Sequence, residues 1–168
     1  MSFSVFLTYS MDPDEQSLVW RLQTLATAQG ISVYVPTREA PQGKSSRDMP
    51  KVRNDVRAAI NRADCVLAII TARAGSAIQS ELNYALSSNK LIVPIVQQGV
   101  GDRTYFSKFP RVFWFSPAEP PGKLESEIVD FLKTRKLDKE AQQALGGVVA
   151  IGIGMLLLYA LSRESMPG

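Results

Sequence analysis

A single glutamate, Glu81, stands in the run Gly75-Ser-Ala-Ile-Gln-Ser-Glu-Leu-Asn-Tyr-Ala85. Apolar stretches flank this run, Val66–Ile70 before it and Leu91–Val96 after it. The spacing predicts a helix between two buried strands, with Glu81 on its first turns. The 168 residues include no histidine and one cysteine, Cys65. Ser-His-Asp and Cys-His catalysis, which need an imidazole base, are therefore excluded. The commonest metal ligand is absent, so no metal site is expected. Chemistry must come from carboxylates, hydroxyls, Lys/Arg side chains and backbone amides. Cys65, at the start of an apolar run, is expected to be a small core residue. No disulfide can form within the chain, which fits a reducing compartment. Gly43-Lys-Ser45 matches the end of a phosphate-binding loop, but Arg38 stands where that motif needs a glycine.

The elements that must position Glu81 follow from periodicity. Val5–Tyr9 reads as a first strand, and Met1–Tyr9 lacks the basic residues that open a signal peptide. Asp12 or Asp14 can cap the next helix, with Pro13 at a permitted early position. Leu18, Leu22, Leu25 and Ala26 form its apolar face, and Gly30 ends it. Ile31–Val35 is a second strand. Pro36–Pro50 is a polar loop with three prolines, long enough to have a role of its own. Lys51–Ala63 is a helix with Val52, Val56, Ala59 and Ile60 on one face. Cys65–Thr71 is the third strand, and the Glu81 helix buries Ile78, Leu82, Ala85 and Leu86. Leu91–Val96 is the fourth strand, Arg111–Phe115 the fifth, and Lys123–Thr134 the last amphipathic helix.

Strands alternating with helices at this spacing mean βαβ units and a parallel sheet with helices on both faces. Ligands in such sheets bind beyond the carboxyl ends of the strands. Tyr9, Ser10, Thr37, Arg38, Thr71–Gly75, Gln97 and Gln98 fall there.

Residues 144–161 contain no charged side chain. As a helix, eighteen residues would span about 27 Å, close to the hydrocarbon thickness of a bilayer. A single membrane span is expected, preceded by a basic and polar linker at 136–143 and followed by a short tail at 162–168. Lys133, Arg135, Lys136 and Lys139 precede the span, and only Arg163 follows it. That asymmetry keeps the globular part in the cytoplasm. Gly146, Ala150 and Gly154 recur every fourth residue, a pattern that favours helix–helix contact. The net charge of +3 gives no argument for nucleic acid.

Several segments together resemble TIR (Toll/interleukin-1 receptor) domains. Phe6-Leu-Thr-Tyr-Ser10 followed by acidic residues is similar to their first box. The leucine-rich helix ending at Gly30, a strand, and a Pro/Gly loop around Pro41 and Gly43 resemble their second strand and the loop after it. Ala58–Ile60 with Ala63–Ile70 resembles their second helix and third strand. Ser76 through Glu81-Leu-Asn-Tyr-Ala85 resembles the segment bearing the glutamate of NAD-cleaving members. Phe113-Trp114 resembles their third box.

The resemblance covers residues 1–135. It implies a flavodoxin-like five-stranded parallel sheet of order 2-1-3-4-5, to which the segment at 144–161 adds a transmembrane helix. It implies NAD+ as substrate rather than cofactor, cleaved at the nicotinamide–ribose bond, with Glu81 as the catalytic carboxylate. Tyr9, Ser10, Arg38, Gly43, Lys44, Ser76 and Tyr84 are then the expected binding residues, with Arg38 and Lys44 near the pyrophosphate. Many members carry an aromatic residue four positions before the glutamate, where this chain has Ala77. A stacking surface is then either missing or supplied by Tyr9, Tyr84 or a neighbouring molecule. Self-association with other TIR domains and a role in bacterial defence against phage are further implications. The alternatives are a non-catalytic TIR scaffold, a TIR enzyme making a cyclic or ADP-ribose-derived signal, and a nucleoside deoxyribosyltransferase-like enzyme. A response-regulator receiver is excluded, because Thr71 stands where its aspartate would be.

Overall fold

A computed structural model describes residues 3–10, 12–37 and 52–144. Five strands, β1 (Phe3–Thr8), β2 (Ile31–Tyr34), β3 (Cys65–Ile70), β4 (Ile92–Gln97) and β5 (Phe113–Phe115), form one sheet of order β2-β1-β3-β4-β5. Every neighbouring pair is parallel. Helices α1 (Pro13–Ala28), α2 (Asn54–Arg62), α3 (Ser76–Ser87), α4 (Arg103–Phe106) and α5 (Lys123–Ala144) connect and cover the strands. The expected flavodoxin-like topology is present.

Side-chain alternation along β1 divides the core. Phe3, Val5, Leu7 and Tyr9 pack with α1 and α5 on one face. Phe6 packs with α2, α3 and α4 on the other. β3 and β4 are covered on both faces, which is why they read as unbroken apolar runs. Asp12 caps α1 by accepting from the Asp14 amide at 2.9 Å, and Pro13 fills the first turn without losing a hydrogen bond. Gly30 takes φ +70° at the turn into β2, a conformation that strains a residue bearing a Cβ.

Some expectations need correction. Leu25 and Leu86 are partly exposed, because each stands at the margin of its helix's apolar stripe. The last helix does not end at Thr134. α5 continues through the expected linker at 136–143 to Ala144. No proline or glycine interrupts 123–144. The added turns are held to the domain, since Lys136 Nζ donates to the Gln29 carbonyl at 2.9 Å and Lys139 pairs with Asp64 at 2.8 Å. From residue 145 onward the expected span lies outside the described residues. Among the described residues, no helix is long and apolar enough to cross a membrane.

Cys65 is fully buried, as its position implied. Burial pushes its thiol up to about 12, with Arg135 opposing the shift and Asp64 adding to it. The thiol is therefore expected to ignore a water-soluble disulfide reagent at pH 8 in the native protein. It should react stoichiometrically once the chain is unfolded in denaturant. Rapid modification of the native protein would contradict this placement.

Candidate active site

Among the described residues, three carboxylates, Glu15, Glu81 and Glu125, are buried. A buried carboxylate is stable only if hydrogen bonds or cations replace its water. The partners differ in each case.

Glu81 is 6% exposed and lies in the middle of α3. The hydroxyl of Thr8, the last residue of β1, donates to Glu81 Oε2 at 2.5 Å. Thr8 is fully buried and follows Phe6 by two residues, so its side chain takes the α2/α3 face. Glu81 is thus tied to the carboxyl end of β1, beside β3, where the chain order reverses. Its burial sets it apart from the solvated carboxylate usual on a helix surface.

Glu15, in the first turn of α1, is also 6% exposed. Its Oε2 accepts from Ser10 Oγ at 2.6 Å, and its Oε1 accepts from Thr71 Oγ1. One carboxylate therefore joins the ends of β1 and β3 on the α1/α5 side. Beside it, Arg73 forms an ion pair with Asp12. A cleft of about 630 Å³ opens here, with Glu15, Arg73, Gln97, Phe115 and Glu125 among its lining residues. Glu81 does not line this cleft.

Glu125 belongs to α5 and is 2% exposed. Its Oε1 accepts from Arg21 Nε at 2.7 Å, and its Oε2 accepts from the Gly122 amide at 2.6 Å. Burial pushes this carboxyl up, but the Arg21 guanidinium and backbone N–H groups outweigh burial and hold it below the usual carboxylate range. It anchors α5 to α1.

The predicted binding residues do not all converge on Glu81. Ser10 serves Glu15. Tyr9 is buried in the α1/α5 core, on the opposite face of the sheet from α3. Tyr84 faces α2, where its hydroxyl and the Asn61 amide bond reciprocally at 2.9 and 3.1 Å and Arg57 lies over its ring. The two tyrosines therefore pack on opposite faces of the sheet. Ser76 starts α3 and is exposed, and its carbonyl accepts from Ser80 Oγ at 2.9 Å. Arg38, Gly43 and Lys44 lie outside the described residues. Tyr34 is an aromatic that sequence reasoning passed over. It is 40% exposed, stacks on Phe6 at 5.8 Å, and shares the α2/α3 face with Thr8.

Thr8 and Glu15 were also missed. Thr8 sits where strand alternation predicts a core residue, and a threonine in a strand is ordinary. Glu15 falls three residues after the capping Asp12, the place of a routine capping-box glutamate. Its carboxylate turns instead to Ser10 and Thr71. Among the described residues, no group of acidic or cysteine side chains could hold a metal ion.

The sequence matches no protein-family model and no curated protein. Solved structures share the fold. A CMP N-glycosidase from Clostridium botulinum is similar with TM-score 0.51 at 16% identity, covering 78% of this chain and 98% of that chain. The TIR domains of the activated Roq1 resistosome are similar with TM-score 0.48 at 14% identity, covering 96% of this chain and 81% of that one. A flavodoxin-like domain from Synechococcus sp. is similar with TM-score 0.48 at 11% identity, covering 78% and 93%. At these identities the likeness is one of architecture.

Proposed function

We propose that this chain is a TIR-type N-glycosidase that cleaves the nicotinamide–ribose bond of NAD+, with Glu81 as the catalytic carboxylate. The observation that carries this is Glu81 itself, buried at the carboxyl end of β1 and oriented by Thr8. In the reaction the bond from ribose C1′ to the nicotinamide nitrogen breaks, and its electron pair leaves on neutral nicotinamide. Positive charge develops on the ribose until water adds and gives up a proton. A fixed carboxylate shielded from water stabilises that charge far better than one in solution. Nicotinamide is already a cationic leaving group, so no general acid is needed, which suits a chain without histidine. Tyr34 offers an aromatic surface on the same sheet face. A CMP N-glycosidase shares this architecture, so N-glycosidic bonds are within its use. Self-association with other TIR domains, membrane anchoring through 144–161 and a defence role rest on the sequence resemblance and the uncharged segment alone.

One observation favours a second possibility. A cleft of about 630 Å³ opens on Glu15, and Glu81 does not line it. Glu15 would then be the working carboxylate, on the other side of the sheet. The test is loss of NAD+, and of CMP as a second substrate, by the full chain clustered on vesicles, comparing wild type, Glu81→Gln and Glu15→Gln. Loss of activity only in Glu81→Gln supports the first assignment, and loss only in Glu15→Gln moves the chemistry to the cleft. Wild-type protein that consumes neither nucleotide when clustered would leave a TIR interaction module.

A further inference from the structure

We propose that the amino-terminal edge of the sheet is a docking face for an anionic lipid bilayer, so that the carboxyl edge bearing Glu81 and Glu15 points away from the membrane. The charges are sorted along the strand axis. All five strands are parallel, so all begin at one edge. Arg62, Lys90 and Arg111 stand within three residues before β3, β4 and β5. The last turns of α5 reach the same edge and add Arg135, Lys136 and Lys139. Lys136 closes on the carbonyl of Gln29, at the end of α1, and Lys139 on Asp64, just before β3.

The length of α5 explains its reach. Twenty-two residues of helix span about 33 Å. A six-residue strand spans about 20 Å, so α5 outruns the sheet it covers.

Among the described residues, six basic side chains stand at this edge against three acidic ones, Asp64, Asp138 and Glu140. Among those residues, this edge therefore carries an excess of three positive charges. Internal contacts do not cancel it. Lys90 donates to the carbonyls of Asn61 and Ala63, and Lys136 to that of Gln29, all neutral acceptors. Arg62 and Arg111 are exposed. Asp64 offsets Lys139, and Glu140 lies 3.9 Å from Lys136. The cleft at the opposite edge has the reverse sign, being lined by Asp12, Asp14, Glu15, Glu119 and Glu125 against Arg21 and Arg73.

A basic edge of this kind turns toward an anionic surface, and the acidic cleft at the other end of the strands turns away from it. A second feature selects a bilayer over another acidic partner. The uncharged run 144–161 leaves the chain at the end of α5, on the basic edge. This inference does not depend on Glu81 being catalytic.

The test uses the full chain with vesicles of neutral phosphatidylcholine, or of phosphatidylcholine with anionic phosphatidylglycerol. Because Cys65 is buried, a fluorophore can be placed selectively on Ser32→Cys, at the basic edge, or on Ala72→Cys, at the carboxyl edge. Energy transfer to an acceptor lipid reports each edge's distance from the bilayer. Transfer from position 32 should exceed that from position 72. It should rise with anionic lipid and fall as added salt shortens the screening length. In Arg62→Gln/Arg111→Gln the rise due to anionic lipid should drop by about half or more, because each cation near such a surface contributes about fivefold to binding. Circular dichroism of each variant checks its fold. Equal transfer from the two edges, transfer indifferent to lipid charge and salt, or failure to float with anionic vesicles would overturn the proposal.

Discussion

Glu81→Gln is expected to lower NAD+ cleavage by about a thousandfold while changing the melting temperature little. Glutamine has the same shape, and its Oε1 can still accept from Thr8 Oγ1, the bond that holds Glu81 at 2.5 Å. What it lacks is the negative charge facing the developing ribosyl cation. Removing one preorganised electrostatic partner from a water-excluded site costs about 10²–10³ in rate. The loss should fall on kcat more than on KM, since the charge is needed only as the bond breaks. Glu81→Ala should be as inactive and also less stable, by about 1–3 kcal/mol, because it removes the hydrogen bond to a fully buried threonine. Undiminished turnover in Glu81→Gln would assign this carboxylate to holding α3 on β1 and nothing more.

Arg21→Ala is expected to be the most destabilising of the surface substitutions, by about 3 kcal/mol. Arg21 is itself 43% exposed on its side chain, so its own solvation is little changed. The cost falls on Glu125, whose carboxylate is 2% exposed and would keep its amide partner at Gly122 but lose its cation. A change of that size in a domain of this length lowers the melting temperature by about 10 °C. The pH dependence gives the signature. The Glu125 carboxyl is held below its ordinary value in the native protein. A depressed carboxyl contributes stability that is fully present above the unfolded value of about 4.3 and is lost as pH falls through the native value. The gap between wild type and Arg21→Ala should therefore be widest near neutrality and narrow on acidification below about pH 4. Glu125→Gln should cost less, about 1–2 kcal/mol, because it leaves no buried charge behind. A gap that stays constant from neutral to acid pH would show that the pair adds no charge-dependent stability.

Much of the architecture was legible because it follows from local periodicity. Runs such as Val66–Ile70 and Leu91–Val96 are apolar at every position because helices cover both faces of a central strand. Asp12-Pro13 and Gly30 marked the ends of α1 through capping and φ preference, both properties of a few adjacent residues. The end of α5 was misplaced at Thr134 for the opposite reason. Its last turns are held by Gln29 and Asp64, more than seventy residues away in sequence, and no local signal reports such a contact.

The candidate site divides along the same line. Glu81 could be singled out in the sequence because no histidine and one cysteine leave few groups for chemistry, and because its segment resembles the one that bears the glutamate of NAD-cleaving TIR domains. Which side chains surround it could not be read there. Two adjacent residues, Thr8 at the end of β1 and Tyr9 just after it, point to opposite faces, so Thr8 meets Glu81 while Tyr9 enters the other core. Ser10 and Thr71, 61 positions apart, become neighbours through Glu15 because parallel β1 and β3 end side by side. Local spacing encodes which segments become strands and helices, and so puts Glu81 on α3. Pleat direction, parallel pairing and the reach of α5 decide which hydroxyls orient that carboxylate, where the cleft opens and which edge carries the positive charge. Those depend on contacts between distant parts of the chain, which exist only once the sheet has formed.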